Sequence, residues 1–273
     1  MTHDLNIQDF PIFDSHFHVI DPRFRLIQNA GYLPPQFTVH EYLTRLDEYT
    51  LAGGAVVSGS FQGFDQSYLL EALKLLGSGY VGVTQLPIST TDDEIIKLNK
   101  SGVRALRFNL KRGGSENIEH IKSMAKRIHE IVGWHIELYV DSRELENLYN
   151  LLSELPAISI DHLGLSKAGL PTLKKLVANG AYVKATGFSR LDFNPVEVIK
   201  ELNEINPDAV MFGTDLPSTR APVPYSDSDL AALLEAFDQV TIHKLLTTNA
   251  RKFYKLQSVN QLESSGTEAV PNN

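Results

Sequence analysis

Short apolar runs alternate with longer amphipathic segments along most of this chain, and the two patterns predict different elements. The apolar runs are rich in Val, Ile, Leu and Ala, which is typical of strands buried on both faces in a parallel sheet. We predict eight strands, at Ile12–His18, Gly54–Ser60, Tyr80–Leu86, Val103–Leu110, Trp134–Val140, Ile158–His162, Ala181–Gly187 and Val210–Asp215.

The amphipathic segments between these strands begin with helix-start signals. The signals are Thr38-x-x-Glu41, Thr91-x-x-Glu94, Asp141-x-x-Glu144, Asn194-Pro195 and Ser226-x-x-Asp229. Eight strand–helix units in roughly 250 residues predict an α/β chain that folds as a single (β/α)8 TIM barrel. The alternative, an open doubly wound sheet, usually has fewer strands. We place the barrel domain at residues 1–257 and expect 258–273, which are polar and aperiodic, to form a mobile tail.

Composition and charge exclude several kinds of binding partner and site. The net charge of −8 argues against non-specific nucleic-acid binding, so an anionic ligand would need a local cluster of arginines. The chain has no cysteine, which excludes disulfides, thiolate metal sites and a cysteine nucleophile. The sequence also contains neither a membrane-spanning apolar stretch nor a signal peptide, so we expect a cytoplasmic protein. Its oligomeric state is left open.

Polar side chains collect at the predicted carboxyl ends of the strands. His16 and His18 share one face at the end of the first strand, His162 ends the sixth and Asp215 ends the eighth. In a barrel these ends meet at one mouth, where paired imidazoles can ligate a metal or polarise a carbonyl group. Each residue alone has an ordinary structural explanation, but together they predict an active site. Asp161 has the opposite strand parity to His162, and we expect it to brace a neighbouring loop.

Three arginines are candidates for binding an anion. Arg107 lies within the fourth strand, where a buried guanidinium needs an anion opposite it, and a substrate carboxylate would serve. Arg112 and Arg190 lie in loops, where a solvated surface role is an equally good explanation. Tyr139, in the fifth strand, fits either the mouth or the core.

Three segments carry a resemblance to a known family: Ile12–His18, Ile160–Gly164 and Met211–Pro217. They resemble signature segments of the amidohydrolase superfamily, especially its branch of 2-pyrone-4,6-dicarboxylate lactonases and sugar lactonases. The resemblance implies that Asp215 is the general base and that His16, His18 and His162 polarise the carbonyl group. It also implies substrate-binding roles for Tyr32, Ser60, Arg107, Arg112, Tyr139 and Arg190.

The sequence departs from this family in ways that bear on the metal and the substrate. Many members bridge two metals with a lysine near the middle of the barrel, but here Lys111 lies beyond the fourth strand and Lys184 lies in the seventh. We therefore expect either no metal or one divalent ion, most simply zinc, held by His16, His18, His162 and Asp215. Leu165, Leu216 and Ser218 stand where the branch tends to have other residues, which leaves the exact substrate open.

The hypothesis from sequence is a hydrolase that opens a small lactone bearing carboxylates, such as 2-pyrone-4,6-dicarboxylate. One alternative is a metal-dependent decarboxylase or another hydrolase of the amidohydrolase type. A second is a catalytically inactive barrel that only binds a ligand.

Overall fold

The strands of this protein follow one another around a ring in chain order. A computed structural model describes residues 7–256, and within this range eight parallel strands pair in the order β1 to β8. They are β1 (Ile12–Phe17), β2 (Leu51–Val57), β3 (Tyr80–Thr84), β4 (Val103–Asn109), β5 (His135–Tyr139), β6 (Ile158–Ile160), β7 (Tyr182–Ala185) and β8 (Val210–Phe212). Residues 1–6 and 257–273 lie outside the described residues, and with them the whole of the tail predicted at 258–273.

Two backbone hydrogen bonds join the segment after β8 to the end of β1. The amide of Asp215 donates to the carbonyl oxygen of His16 at 2.8 Å, and the amide of His18 donates to the carbonyl oxygen of Leu216 at 2.7 Å. They bring the first and last strands together, and the predicted (β/α)8 barrel is confirmed. They also place the two histidines of β1 next to Asp215.

The helices surround the strands on the outside of the ring. They are α1 (Val39–Arg45), α2 (Ser67–Leu76), α3 (Asp92–Lys100), α4 (Ile121–Val132), α5 (Leu145–Ser153), α6 (Leu170–Ala178), α7 (Pro195–Ile205), α8 (Asp227–Ala236), α9 (Gln239–His243) and α10 (Asn249–Phe253). In the part of the chain that the structure describes, no helix has the length and apolarity needed to cross a membrane.

Most of the predicted helix starts are present. Capping boxes form at Thr38, Thr91 and Ser226, and the side chain of Asn194 caps α7. The prediction at Asp141 is wrong in detail, because its carboxylate caps a short 3-10 turn by accepting from the amide of Arg143. Asp141 instead pairs with two cations, described below.

An irregularity in β1 controls which of its side chains face the barrel interior. Phe13 packs in the interior, whereas Phe17 stacks on Tyr42 of α1 outside it, with ring centroids 3.8 Å apart. The register of β1 against β2 shifts between Asp14 and Phe17, as expected where a bulge adds a residue and changes the alternation of faces. Residues three apart point to opposite faces of a regular strand. Because of the shift, His16 faces the interior as Phe13 does, although the two are three residues apart.

Candidate active site

The imidazoles of His16 and His18 lie side by side at the carboxyl end of β1, with ring centroids 5.1 Å apart. Nδ1 of His18 lies 2.7 Å from the carbonyl oxygen of Val57. Since a carbonyl oxygen can only accept, this nitrogen carries the proton and Nε2 keeps its lone pair. The Nε2 atoms of His16 and His18 lie 3.8 and 3.9 Å from Oδ1 of Asp215. Two imidazole nitrogens and one carboxylate oxygen therefore face one point.

Asp161 and His162 approach His16 from the other side. Nδ1 of His16 lies 3.5 Å from Oδ1 of Asp161, and the rings of His16 and His162 are 5.0 Å apart. A carboxylate at Nδ1 favours the tautomer in which Nε2 is free to act as a ligand. Burial lowers the pKa of all three imidazoles, and for His18 and His162 the pKa lies well below the usual value. The three rings are thus held neutral.

The two oxygens of the Asp215 carboxylate have different surroundings. Oδ2 accepts from Nε of Arg190 at 2.9 Å and lies 2.7 Å from Nη2 of the same guanidinium. Oδ1 is buried and has no hydrogen-bond donor among the residues that the structure describes. The backbone at Asp215 is left-handed, with φ of 61°, and this turn directs the carboxylate into the mouth. One oxygen is held in place and the other is available for chemistry.

The donor set at the mouth fits a divalent metal ion. Among the buried polar atoms that lack a hydrogen-bond partner within residues 7–256, five belong to the histidines and aspartates of this site: Nδ1 and Nε2 of His16, Nδ1 of His162, Oδ1 of Asp161 and Oδ1 of Asp215. His16, His18 and Asp215 each offer one ligand atom, and these atoms lie within 4.8 Å of one another; the same holds for His16, Asp161 and His162. Imidazole nitrogen and carboxylate oxygen are common ligands of zinc.

Arg107 is paired with Asp161, a residue that we expected from the sequence to brace a neighbouring loop. Its guanidinium donates to Oδ2 of Asp161 at 2.7 Å and to the carbonyl oxygen of Ser58 at 2.5 Å. Burial alone would raise the pKa of Asp161, but attraction to Arg107 and His16 holds it well below the usual value. The expectation that Asp161 braces a neighbouring loop is wrong. The chain turns at His162, where φ is 51°, so that both side chains face the barrel.

Lys184 of β7 lies in the barrel interior and is ion-paired. Its ammonium lies 2.5 Å from Oε2 of Glu137 and 3.9 Å from Oδ1 of Asp161. Glu137 also accepts from Tyr254 and contacts His135. Burial would raise the pKa of Glu137, but the charge of Lys184 outweighs it and lowers this pKa to about 2. Of the polar residues of β5, only Tyr139 lines the cavity at the mouth.

The candidate substrate residues lie around one cavity above the histidines. Its lining includes Tyr32, Ser60, Arg107, Arg112, Tyr139 and Arg190, together with His18, His162 and Asp215. The structure therefore brings together every substrate-binding candidate proposed from sequence. It adds Thr219 and Arg220, from the loop after β8. Arg220 could not be found from the sequence, because it lies past the strand end in a loop whose path periodicity does not predict.

Gly187, after β7, allows two site residues to approach the backbone closely. A Cβ atom there would lie 2.8 Å from Nδ1 of His162 and 2.9 Å from Nε of Arg190. We expect Gly187→Ala to displace both side chains and lower kcat/KM by about 10–100-fold, since small misplacements of catalytic groups have effects of this size.

A matched control separates this clash from backbone strain. Gly180 also has a positive φ, of 95°, but a Cβ atom there would meet nothing within 4 Å. Steady-state assays of Gly187→Ala and Gly180→Ala should show a loss of turnover for the first variant alone. Equal losses in both would mean that strain, and not contact with the site, is responsible.

The family of the chain follows from a comparison of sequences. A model of the amidohydrolase family matches residues 13–256, which covers nearly all of the described barrel, from β1 to the end of α10. The chain belongs to the amidohydrolase family. The resemblance proposed from sequence is confirmed, and so is the prediction of a hydrolase.

Three individual relatives of this amidohydrolase share between 22% and 28% of their residues with it. It is 28% identical to a 4-sulfomuconolactone hydrolase of Rhizobium radiobacter over 271 residues, 89% of each chain. It is also 28% identical to a 2-pyrone-4,6-dicarboxylate hydrolase of Comamonas testosteroni, over 55% of this chain and 51% of the other. Among solved structures, a probable 2-pyrone-4,6-dicarboxylic acid hydrolase of Acinetobacter baumannii with bound citric acid superposes with a TM-score of 0.77 at 22% identity. That match covers 90% of this chain and all (100%) of the other, and at this identity it supports the fold.

Proposed function

We propose that this amidohydrolase opens a small lactone that carries anionic substituents, with Asp215 as the general base. The observation that carries the proposal is the asymmetry of the Asp215 carboxylate. Arg190 holds one oxygen, and the other is buried without a donor beside two neutral imidazoles. Such an oxygen can accept a proton from a water molecule in the cavity.

In this mechanism, Oδ1 of Asp215 takes a proton from water as the water oxygen attacks the lactone carbonyl carbon. The ester bond to the ring oxygen then breaks, and the protonated carboxyl returns its proton to that oxygen as it leaves. The product is an open-chain hydroxy acid or its keto form. Arg190 keeps the base oriented, and it also stabilises the ionised carboxylate between turnovers.

Residues of three strand ends offer acceptor atoms that suit a divalent ion, because the unprotonated Nε2 atoms of His16 and His18 cannot donate a hydrogen bond to the carbonyl oxygen itself. His16, His18 and His162 are neutral and point at the mouth, and with Asp215 they would hold one divalent ion, of which zinc is the simplest choice. Such an ion supplies Lewis-acid activation of the carbonyl and of water when bound. Lys184 is not proposed as a bridging ligand, because its ammonium lies against Glu137 below the mouth.

The anionic substituents would be recognised by the polar lining of the cavity. Arg107, Arg112 and Arg190, with Ser60, Tyr32 and Tyr139, all border it. The relatives named above act, by their names, on lactones with carboxylate or sulfonate groups, and the Acinetobacter baumannii protein was solved with a tricarboxylic acid. Both facts support an anionic lactone over a neutral sugar lactone.

The proposal is tested by assaying the purified protein with three lactones: 2-pyrone-4,6-dicarboxylate, 4-sulfomuconolactone and glucono-1,5-lactone. We expect ring opening of at least one anionic lactone, with a kcat/KM at least about a hundredfold above that for the neutral sugar lactone. Release of carbon dioxide without ring opening would favour the decarboxylase. Binding without turnover of any of the three would favour the inactive barrel.

The metal content gives a separate prediction. We expect one divalent ion per chain or none, because the barrel interior offers no free lysine to bridge a pair within residues 7–256. If one ion is found, His18→Asn should lower the metal content, while the exposed control His40→Asn should leave it unchanged. Elemental analysis of the purified protein measures both, and two ions per chain would contradict the prediction.

A further inference from the structure

Arg220 is fixed across the mouth of the barrel by neutral partners. Its guanidinium donates to the side-chain oxygen of Asn29 at 3.2 Å and to the carbonyl oxygen of the same residue. The guanidinium carbon lies 4.4 Å from the ring centroid of Tyr32. Within residues 7–256 the guanidinium of Arg220 contacts these neutral groups and pairs with no carboxylate, so its charge is held in place without being neutralised.

Asn29 also links Arg220 to Arg112. The side-chain amide of Asn29 donates to the carbonyl oxygen of Arg112 at 3.1 Å, while its side-chain oxygen accepts from Arg220. The side-chain oxygen of Asn109 accepts from the amide of Arg112 at 2.9 Å, which fixes the backbone there. Burial lowers the pKa of Arg220, and the nearby charge of Arg112 lowers it further. One asparagine thus links the guanidinium of Arg220 to the backbone of Arg112.

Each of the other cations around this part of the mouth contacts a carboxylate, and two of them share a single one. Lys111 lies 2.9 Å and Arg143 lies 2.8 Å from the same carboxylate oxygen of Asp141, and Arg190 is paired with Asp215. The guanidinium of Arg112, by contrast, has no hydrogen bond or ion pair to any part of the chain within 7–256. Arg112 and Arg220 therefore form a site of uncompensated positive charge in a protein whose net charge is −8.

We propose that Arg112 and Arg220 bind a carboxylate at the outer end of the substrate, away from the ester bond that Asp215 helps to break. Both residues line the same cavity as Asp215 and His162. Two guanidiniums can donate several hydrogen bonds to one anion, and one that is already held in place loses little freedom on binding. Arg220 is in this view a specificity-determining residue that selects lactones with a second anionic group.

This assignment rests on the proposed lactone hydrolysis, which sets the orientation of the substrate in the cavity. The test compares a lactone that carries two carboxylates with one that carries a single carboxylate. We expect Arg220→Gln to raise KM for 2-pyrone-4,6-dicarboxylate by about 10–100-fold while kcat changes by less than about threefold, because the lost contacts are charged hydrogen bonds remote from the reacting carbonyl. The KM for 2-pyrone-6-carboxylate should stay unchanged. Arg220→Lys, which keeps the charge, should show a smaller increase.

Arg143→Gln is the matched control, since Arg143 lies beside the same mouth but is paired with Asp141. It should leave KM for both lactones unchanged, and thermal denaturation of each variant checks that the barrel is folded. Equal effects of Arg220→Gln on the two lactones, or none on either, would overturn the assignment.

If the wild-type enzyme hydrolyses neither lactone, the proposed function fails, and binding of pyridine-2,4-dicarboxylate measured by calorimetry still tests the site. A Kd that rises about tenfold or more in Arg220→Gln supports it. An unchanged Kd, or no binding to the wild-type protein, overturns it.

Discussion

Asp215→Asn is expected to lower kcat by about 10²–10⁴-fold, the usual contribution of a general base. An amide has nearly the shape of the carboxylate but cannot accept the proton of the attacking water. The KM should change much less, because the predicted anion-binding groups are left in place. Steady-state kinetics with the best anionic lactone measures both values.

Asp47→Asn is a suitable control, because Asp47 is exposed and lies outside the mouth. It makes the same chemical change and should keep wild-type turnover. Near wild-type kcat in Asp215→Asn would mean that another residue is the base. In that case the carboxylate of Asp161, which also has an unpartnered buried oxygen, becomes the next candidate.

Asp161→Asn is expected to reduce both stability and turnover. The carboxylate is buried between Arg107 at 2.7 Å, His16 at 3.5 Å and Lys184 at 3.9 Å. Its loss leaves two buried cations with less compensation, and breaking such a pair typically destabilises a protein by about 3–5 kcal/mol. Loss of the acceptor at Nδ1 of His16 also frees the ring to change tautomer, so kcat should fall by about 10–100-fold.

A double-mutant cycle with Arg107→Gln isolates the ion pair. Because Asp161 and Arg107 are in direct contact, we expect the double variant to lose less free energy of unfolding than the sum of the single variants. Urea denaturation measures stability, and assays at a temperature where all variants are folded measure kcat. Strict additivity would show that the pair is not the unit that the geometry indicates.

The histidines and the aspartate at the strand ends could be predicted from the sequence because both signals are local. Apolar runs mark the strands, and a polar residue just past such a run lies at the carboxyl edge of a parallel sheet. His16 and His18 are two residues apart, and the expectation that they lie together is confirmed by ring centroids 5.1 Å apart, although His18 lies just past the end of β1. Asp215 follows β8 directly.

The alternation of side-chain direction failed to predict Asp161, because this residue lies past the end of β6. Alternation assumes an extended backbone, but β6 ends at Ile160 and His162 has a positive φ. The turn brings neighbouring side chains to one side, so that parity no longer predicts direction. Arg107 was expected to face a substrate carboxylate, and the sequence could not show that Asp161, 54 residues away, also pairs with it.

The sequence by itself determined the order of strands and helices, the barrel, and the polar residue types at the strand ends. Each of these depends on periodicity or on residues next to one another in the chain. Only the tertiary structure revealed the pairs Asp161–Arg107 and Lys184–Glu137 and the link from Arg220 through Asn29 to Arg112. These contacts join distant segments, and bulges, turns and loop paths set their geometry. Which cations are paired with a carboxylate and which remain free to bind an anion is therefore a property of the folded barrel alone.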